Sequence, residues 1–339
     1  MTSQDQKGGS GSTNIQIASV TTGLSYADVR DIAADLFERN FADLTAFAQQ
    51  TARSRAEEIR DEILARLESD PKARPDTFNQ VEKQIYLLEA QKAYALSGDD
   101  DLKSLLVNAI VGVSDTPERS KRSIVLGESI RVAPLLTPNQ LRSLGASFAI
   151  WKVNFGVSSL EELFTRYATA IDLQNHDIEV TPGDILHLQY LGCGIEGTHQ
   201  LKMDTLLRGD YPMLLQLGYS TEELRAAYFP ETIPMNVIRP AMRDGTRLEI
   251  AIRRSANFDD VTGLTTRQVE TSKRLLSERL IDADRLQEEL TAMGGKARYL
   301  YDRWASSSLA DFRLTSVGIA IGHTFVAERL AVPSLDIFL

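Results

Sequence analysis

From Ser25 onward, apolar residues recur at spacings of three and four: Val29, Ile32 and Leu36, then Leu44 and Phe47, then Ile59, Ile63 and Leu67. That is the period of one helix face, and a chain written in it over most of its length must build its core between helices. Ser25 can cap the first of them, with Asp28 at the position three residues on where a capping box places its acidic or amide partner. The run "ARSRAEEIRDEILARLESD" interleaves charges of both signs at helix-neighbour spacing, as a solvated face does. Pro71 and Pro75 interrupt, and a second helix follows with Val81, Ile85, Leu88 and Tyr94 on its apolar side, ending at Gly98.

Further helices are predicted over "DDLKSLLVNAIVGV", "ERSKRSIVLGESIRVAPLL", "TPNQLRSLGASFAIWKV" and "SSLEELFTRYATAI". Thr137 caps one with Pro138 at its first position, and Ser158 or Ser159 caps another. Beyond residue 175 the pattern shortens into helices broken at Gly192, Gly209 and Gly218. There "TRLEIAIRRS" alternates Leu248, Ile250 and Ile252 with polar neighbours and reads as a strand, and "LADFRLT" as another. The expected fold is mainly α: a multi-helix bundle body with short β elements in the C-terminal half, behind a disordered, β-prone leader. The expected division is a leader over 1–24, a helical domain over 25–175, and a helical domain with minor β over 176–339, winged-helix-like at its end.

The 339 residues are 43% hydrophobic and 25% charged, ordinary globular usage, and the formal net charge of -10 opposes broad attraction to nucleic acid or anionic membrane. A single cysteine, Cys193, excludes an intramolecular disulfide, and the N-terminus lacks the layout of a secretory signal. Apolar stretches such as "SLGASFAIWKV" fall short of the roughly 20 residues that cross a bilayer. A cytoplasmic protein without a membrane span is expected.

Chemistry is sparsely signalled. Gly192, Gly194 and Gly197 spell G-x-G-x-x-G, but Ile185, Leu188 and Leu191 before them have helical spacing, so a helix end with a glycine turn fits better than a dinucleotide site. His187, Cys193 and His199 are ligand types at spacings of six, wider than paired zinc ligands use, and packing of a buried thiol is the simpler account. No catalytic, cofactor-binding or metal-binding residue is singled out. Arg239, Arg243, Arg247, Arg253 and Arg254 form the most basic stretch. With the strand and "LTSVGIAIGH" near the C-terminus, which resemble the passage from wing to last helix in winged helix-turn-helix domains, Arg253 and Arg254 support a second reading as a DNA-binding regulator.

The leader is different in kind. From Gly8 to Ala27 there is no charged residue, and "NIQIASV" within that span carries Ile15, Ile17 and Val20 with Asn14 and Gln16 between. In an extended strand Ile15 and Ile17 share one face and Asn14 and Gln16 the other, the pattern of a steric zipper with amide ladders. A strand so short needs partners from identical segments or from another sheet's edge.

"TNIQIA", through Ile15, Gln16 and Ile17, is similar to the core of the RIP homotypic interaction motif, Ile or Val, Gln, then Ile, Val or Leu, then Gly; Ala18 stands where Gly is usual. That resemblance implies amyloid-like assembly that recruits signalling partners, as in related bacterial motifs linked to defence against phage. "VTTGLSYADVRDIAADLFERNFADL" and the downstream "LTSVGIAIGH" also resemble a group of bacterial proteins that share a "STNIQ" leader and bring no established activity. What this implies is a bacterial cytoplasmic protein in a conflict or defence setting. The expected function is a non-catalytic signalling adaptor that assembles through Asn14, Ile15, Gln16 and Ile17, with itself or with a partner carrying a similar motif.

Overall fold

A computed structural model describes residues 25–40, 46–116, 119–198, 200–251, 261 and 263–339. The first helices are α1 (Tyr26–Asn40), α2 (Ala46–Ser69), α3 (Val81–Ser97), α4 (Asp100–Ser114), α5 (Lys121–Val132), α6 (Pro138–Lys152), α7 (Leu160–Ala170) and α8 (Pro182–Tyr190). Strand β1 (Gly194–Glu196) follows, then α9 (Met203–Asp210), α10 (Pro212–Leu215), α11 (Thr221–Tyr228), β2 (Ile238–Pro240) and β3 (Leu248–Ile250). The chain closes with α12 (Thr266–Glu278), α13 (Ala283–Ala292), α14 (Gly295–Ser306), β4 (Phe312–Leu314) and α15 (Ser316–Ala327). The described residues are thus mainly helical, with two two-stranded sheets, β1–β4 and β2–β3, both antiparallel and both in the C-terminal half.

The helix starts follow local chemistry. Ser25 and Asp28 bond reciprocally, the Asp28 carboxylate taking the Ser25 N–H at 2.8 Å while the Ser25 hydroxyl accepts from the Asp28 N–H at 3.3 Å. Thr137 and Gln140 form the same box at the start of α6, behind Pro138. Asp99, Ser120, Ser159, Thr181, Ser220, Thr265, Asp282 and Thr315 each accept from a main-chain N–H of the first turn they precede. At the other end of α3, Gly98 sits at φ 62°, the left-handed stop that its position in the sequence suggests.

One helix face differs from its expected one. Val81 is 72% exposed and Ile85 42%, whereas Lys83, Tyr86, Leu87, Ala90 and Gln91 join Tyr94 in the core. The helix is turned because Lys83 has an inward task. Its Nζ donates to the carbonyls of Val113 at 2.7 Å and Thr116 at 2.9 Å and to Ser123 Oγ at 3.3 Å, satisfying carbonyls at the end of α4. Burial lowers the Lys83 pKa, with Glu82 opposing. Phe47, also expected inside, is 81% exposed.

Helix α15 is the axis of the body. It packs against α6, α5 and α4, and of its twelve residues only Ala327 is exposed. Gly318 and Gly322, four apart, lie on its closest approaches: a Cβ on Gly318 would stand 1.8 Å from the Cys193 carbonyl oxygen, and one on Gly322 2.6 Å from that of Leu144. From α6, Gly145 answers by making room for the Phe325 ring. The main core runs continuously from Val29 to Leu335. A smaller one gathers Tyr219, Leu224, Tyr228, Ile238, Ile250, Leu275 and Leu276 around β2–β3. There Gln216, fully buried, exchanges both of its amide bonds with the Ile250 main chain at 3.1 Å, standing in for a neighbouring strand. Among the described residues no helix is long and apolar enough to cross a membrane.

Candidate functional site

Asn14, Ile15, Gln16 and Ile17, together with Arg253, Arg254 and His199, lie outside the described residues. The other sequence-derived candidates can be placed. The G-x-G-x-x-G glycines run helix, turn, strand: α8 ends, Gly192 turns at φ 71°, and Gly194 opens β1. A pyrophosphate cradle needs the reverse order, strand into helix. Cys193 is fully buried, and burial pushes its thiol up to about 12, the neutral form favoured by apolar packing. His187 places Nδ1 3.1 Å from Gln140 Oε1, and Gln140 Nε2 donates to Asp184 at 2.9 Å, a polar tie between α8 and α6. Among the described residues no three His, Cys, Asp or Glu side chains converge as a metal site requires.

The described arginines of the basic stretch are spent on the body. Arg239 donates to the buried Glu249 at 2.8 Å, Arg243 pairs with Glu289, and Arg247 with Glu223 at 2.9 Å. Arg279 also bonds Glu223 and holds that carboxyl down at about 2. The helix expected to follow a wing is α15, which packs against α4, α5 and α6.

Two surface features remain. The first is a cavity of about 490 Å³ between the end of α2, α4, α5, the end of α15 and the C-terminal segment. Two of its cations, Arg66 and Arg122, are already matched, while Lys72 makes no ion pair among the described residues. Arg66 pairs with Glu328 at 2.9 Å, and Arg122 reaches Asp115 at 2.9 Å and Asp336 at 3.5 Å. The C-terminal segment forms one wall, held by Arg122, by Lys121 on the Leu339 carbonyl, and by Phe338 against Phe148 and His323. His323 Nε2 lies 2.9 Å from the Pro333 carbonyl oxygen, which can only accept, so the imidazole carries its proton there.

Burial lowers the His323 pKa and Arg122 adds to the shift, while the Pro333 bond and Asp336 oppose it. The folded state therefore favours the neutral ring. Its contribution is complete above the unfolded value of 6.5 and is lost as pH falls from there through the lower folded value. Thermal stability measured from pH 8 down to pH 5 is expected to decline, and His323→Phe is expected to flatten that decline; an unchanged slope in the variant would assign it to other groups.

The second feature is apolar. Helix α8 buries Ile185 and Leu188 but presents Leu186 at 64% exposure and Tyr190 at 85%, one turn apart. After the Gly192 turn, β1 adds Ile195 at 61%. Three large apolar side chains are thus exposed on adjoining elements, with the exposed Arg313 of β4 directly across the ladder from Ile195. Sequence periodicity did not single out this surface, because apolar residues crowd α8: Ile185, Leu186, Leu188 and Tyr190.

A family model described only as ":-like" matches residues 23–339. Neither the curated proteins nor the solved structures gave a match.

Proposed function

The chain belongs to the ":-like" family whose model spans residues 23–339, and because that model begins after the Asn14–Val20 run, we propose that leader and body divide the work. The leader is an assembly segment, and the helical body is what it brings together. Asn14, Ile15, Gln16 and Ile17 pair with the same residues on other copies, or with a similar segment on a partner protein. On this reading the protein is a non-catalytic signalling adaptor of the bacterial cytoplasm, in the defence setting that its resemblances imply.

One observation carries the reading: twenty consecutive residues, Gly8 to Ala27, hold no charge, and the β-prone run within them alternates aliphatic and amide side chains. The body gives it a rigid carrier, with a capped helix starting at Tyr26, directly after the leader.

The test is thioflavin fluorescence with electron microscopy on the full chain and on Gln16→Pro. Proline removes a ladder donor and cannot sit in the interior of a stacked strand. Fibres or defined oligomers are expected from the parent and not from the variant, with far-ultraviolet circular dichroism unchanged between them. Assembly that survives Gln16→Pro, or a parent that stays monomeric, sinks the reading.

A further inference from the structure

We propose that residues 331–339 form a strap over the cavity between α4, α5 and α15 that opens as a unit while the helices stay folded, with His323 as its acid-sensitive latch. The inference is independent of the leader and of the assembly reading.

The strap is held at few points. Beyond α15 the chain makes a last helix-type bond, Leu330 N to Val326 O, and then runs without regular structure to the short turn at Leu335–Ile337. Of the nine residues from Ala331 to Leu339 only Leu335 is buried, and Ile337 is 72% exposed. The main-chain N–H groups of Ile337, Phe338 and Leu339 bond Ser334 or Leu335 of the same turn, and among the described residues no N–H of the strap donates to a helix. The ties come from the body instead: Lys121 on the Leu339 carbonyl, Arg122 on Asp336 at 3.5 Å, and His323 Nε2 on the Pro333 carbonyl at 2.9 Å. The Phe338 ring stands 5.0 Å from that of Phe148 and 5.9 Å from that of His323, centre to centre. A segment with one buried side chain and no ladder lies at the low end of local stability, whereas α15 beneath it packs against α4, α5 and α6.

At His323 strap and body share a titratable group. The charged side chains around the cavity are Arg66, Asp70 and Lys72 from the end of α2 and the turn after it, Asp115 at the end of α4, Arg122 of α5, Glu328 after α15, and Asp336 of the strap; α6 presents Phe148 to the ring. Burial disfavours the imidazolium most, and Arg122 adds to that, while the Pro333 carbonyl and Asp336 oppose, so the ring titrates below its ordinary 6.5. Nε2 keeps its bond to Pro333 in either form. The added proton goes to Nδ1, which has no hydrogen-bond partner among the described residues. When the strap lifts, Arg122 stays and water reaches the ring, so opening relieves burial, the largest cause of the shift. Above 6.5 the ring is neutral in both forms and pH has no hold on the strap. Below it, protonation draws the equilibrium toward the open form until the closed form takes the proton as well.

The experiment is hydrogen exchange on the full chain at about pH 8 and pH 5.5, read as protection relative to the intrinsic rate at each pH, for the parent, His323→Phe and Asp336→Asn. Ordinary carboxylates stay ionised across that window. In the parent, the amides of Ile337, Phe338 and Leu339 are expected to be less protected than those of α4 and α6, and to lose about tenfold more protection at the lower pH, while α4 and α6 keep theirs. His323→Phe retains a ring against Phe148 and Phe338 but takes no proton, so its strap is expected to be equally protected at both values. Asp336→Asn removes a tie and leaves the latch, so its strap is expected to be looser at both and still to respond to pH. Should His323→Phe fail to fold, His323→Gln, which can still donate to Pro333, carries the same comparison. A fall in the His323 variant as large as the parent's overturns the latch. Strap amides as protected as those of α6 at both values, or losing protection only together with α4 and α6, overturn the strap itself.

Discussion

Gly318→Ala is expected to cost about 3 kcal/mol of folding stability, the upper part of the range for overpacking a core. A Cβ at that position would lie 1.8 Å from the Cys193 carbonyl oxygen and 2.9 Å from its carbon, and both are main-chain atoms. Cys193 cannot step aside cheaply. Its carbonyl accepts from Thr315 N at 3.1 Å, its own N–H donates to Leu188, and it leads directly into β1. The added methyl must therefore move α15 away from the α8–β1 turn, and α15 is the helix that α4, α5 and α6 share. Gly209→Ala is the matched control, since a Cβ there meets nothing within 4 Å and a helical glycine gains from the change. Urea unfolding of both variants and the parent checks the difference. A Gly318→Ala protein as stable as Gly209→Ala would mean that α15 does not approach the Cys193 turn as closely as described.

Local chemistry made most of the helix starts legible. Ser25 with Asp28, Thr137 with Pro138, and Ser159 are signals confined to a few residues, and each bond they imply forms. What could not be read locally was which face of a helix turns inward when a polar residue takes a core position. Lys83 defeats the hydrophobic count on α3 because its acceptors, Val113 at the end of α4 and Thr116 just past it, lie some thirty residues away. β1 was hidden for another reason: "GCGIEG" has no alternation to announce a strand, and it becomes one only because β4, more than a hundred residues later, pairs with it. The spacing of Gly318 and Gly322 carried information about α15, a close helix approach, without naming α6 as the neighbour. The α8–β1 surface was illegible for the same reason. Leu186 and Ile185 are adjacent apolar residues, and only the tertiary packing decides which of them is left outside.

Asp101→Ala is expected to cost a similar amount, about 3 kcal/mol, through charge instead of volume. Asp101 sits in the first turn of α4 and accepts from Arg329, just past α15, and from Arg142 of α6 at 3.4 Å. Its side chain retains 21% exposure, Arg142 11% and Arg329 19%, so all three ions are largely out of water. The two arginines depend on it unequally. Arg329 also lies 4.0 Å from the Phe325 ring centroid and donates to the Phe325 carbonyl at 2.8 Å. Arg142 has Nε buried without a partner among the described residues, so losing Asp101 leaves its guanidinium without a counter-ion. Most of the loss is therefore expected to arise at Arg142. Arg142→Met, which keeps the stem and removes the charge, is expected to recover part of the Asp101→Ala cost when the two are combined, because the uncompensated ion is then gone. Strictly additive losses in the double variant would mean that the carboxylate acts on Arg329 alone, and that α4 is tied to α15 but not to α6.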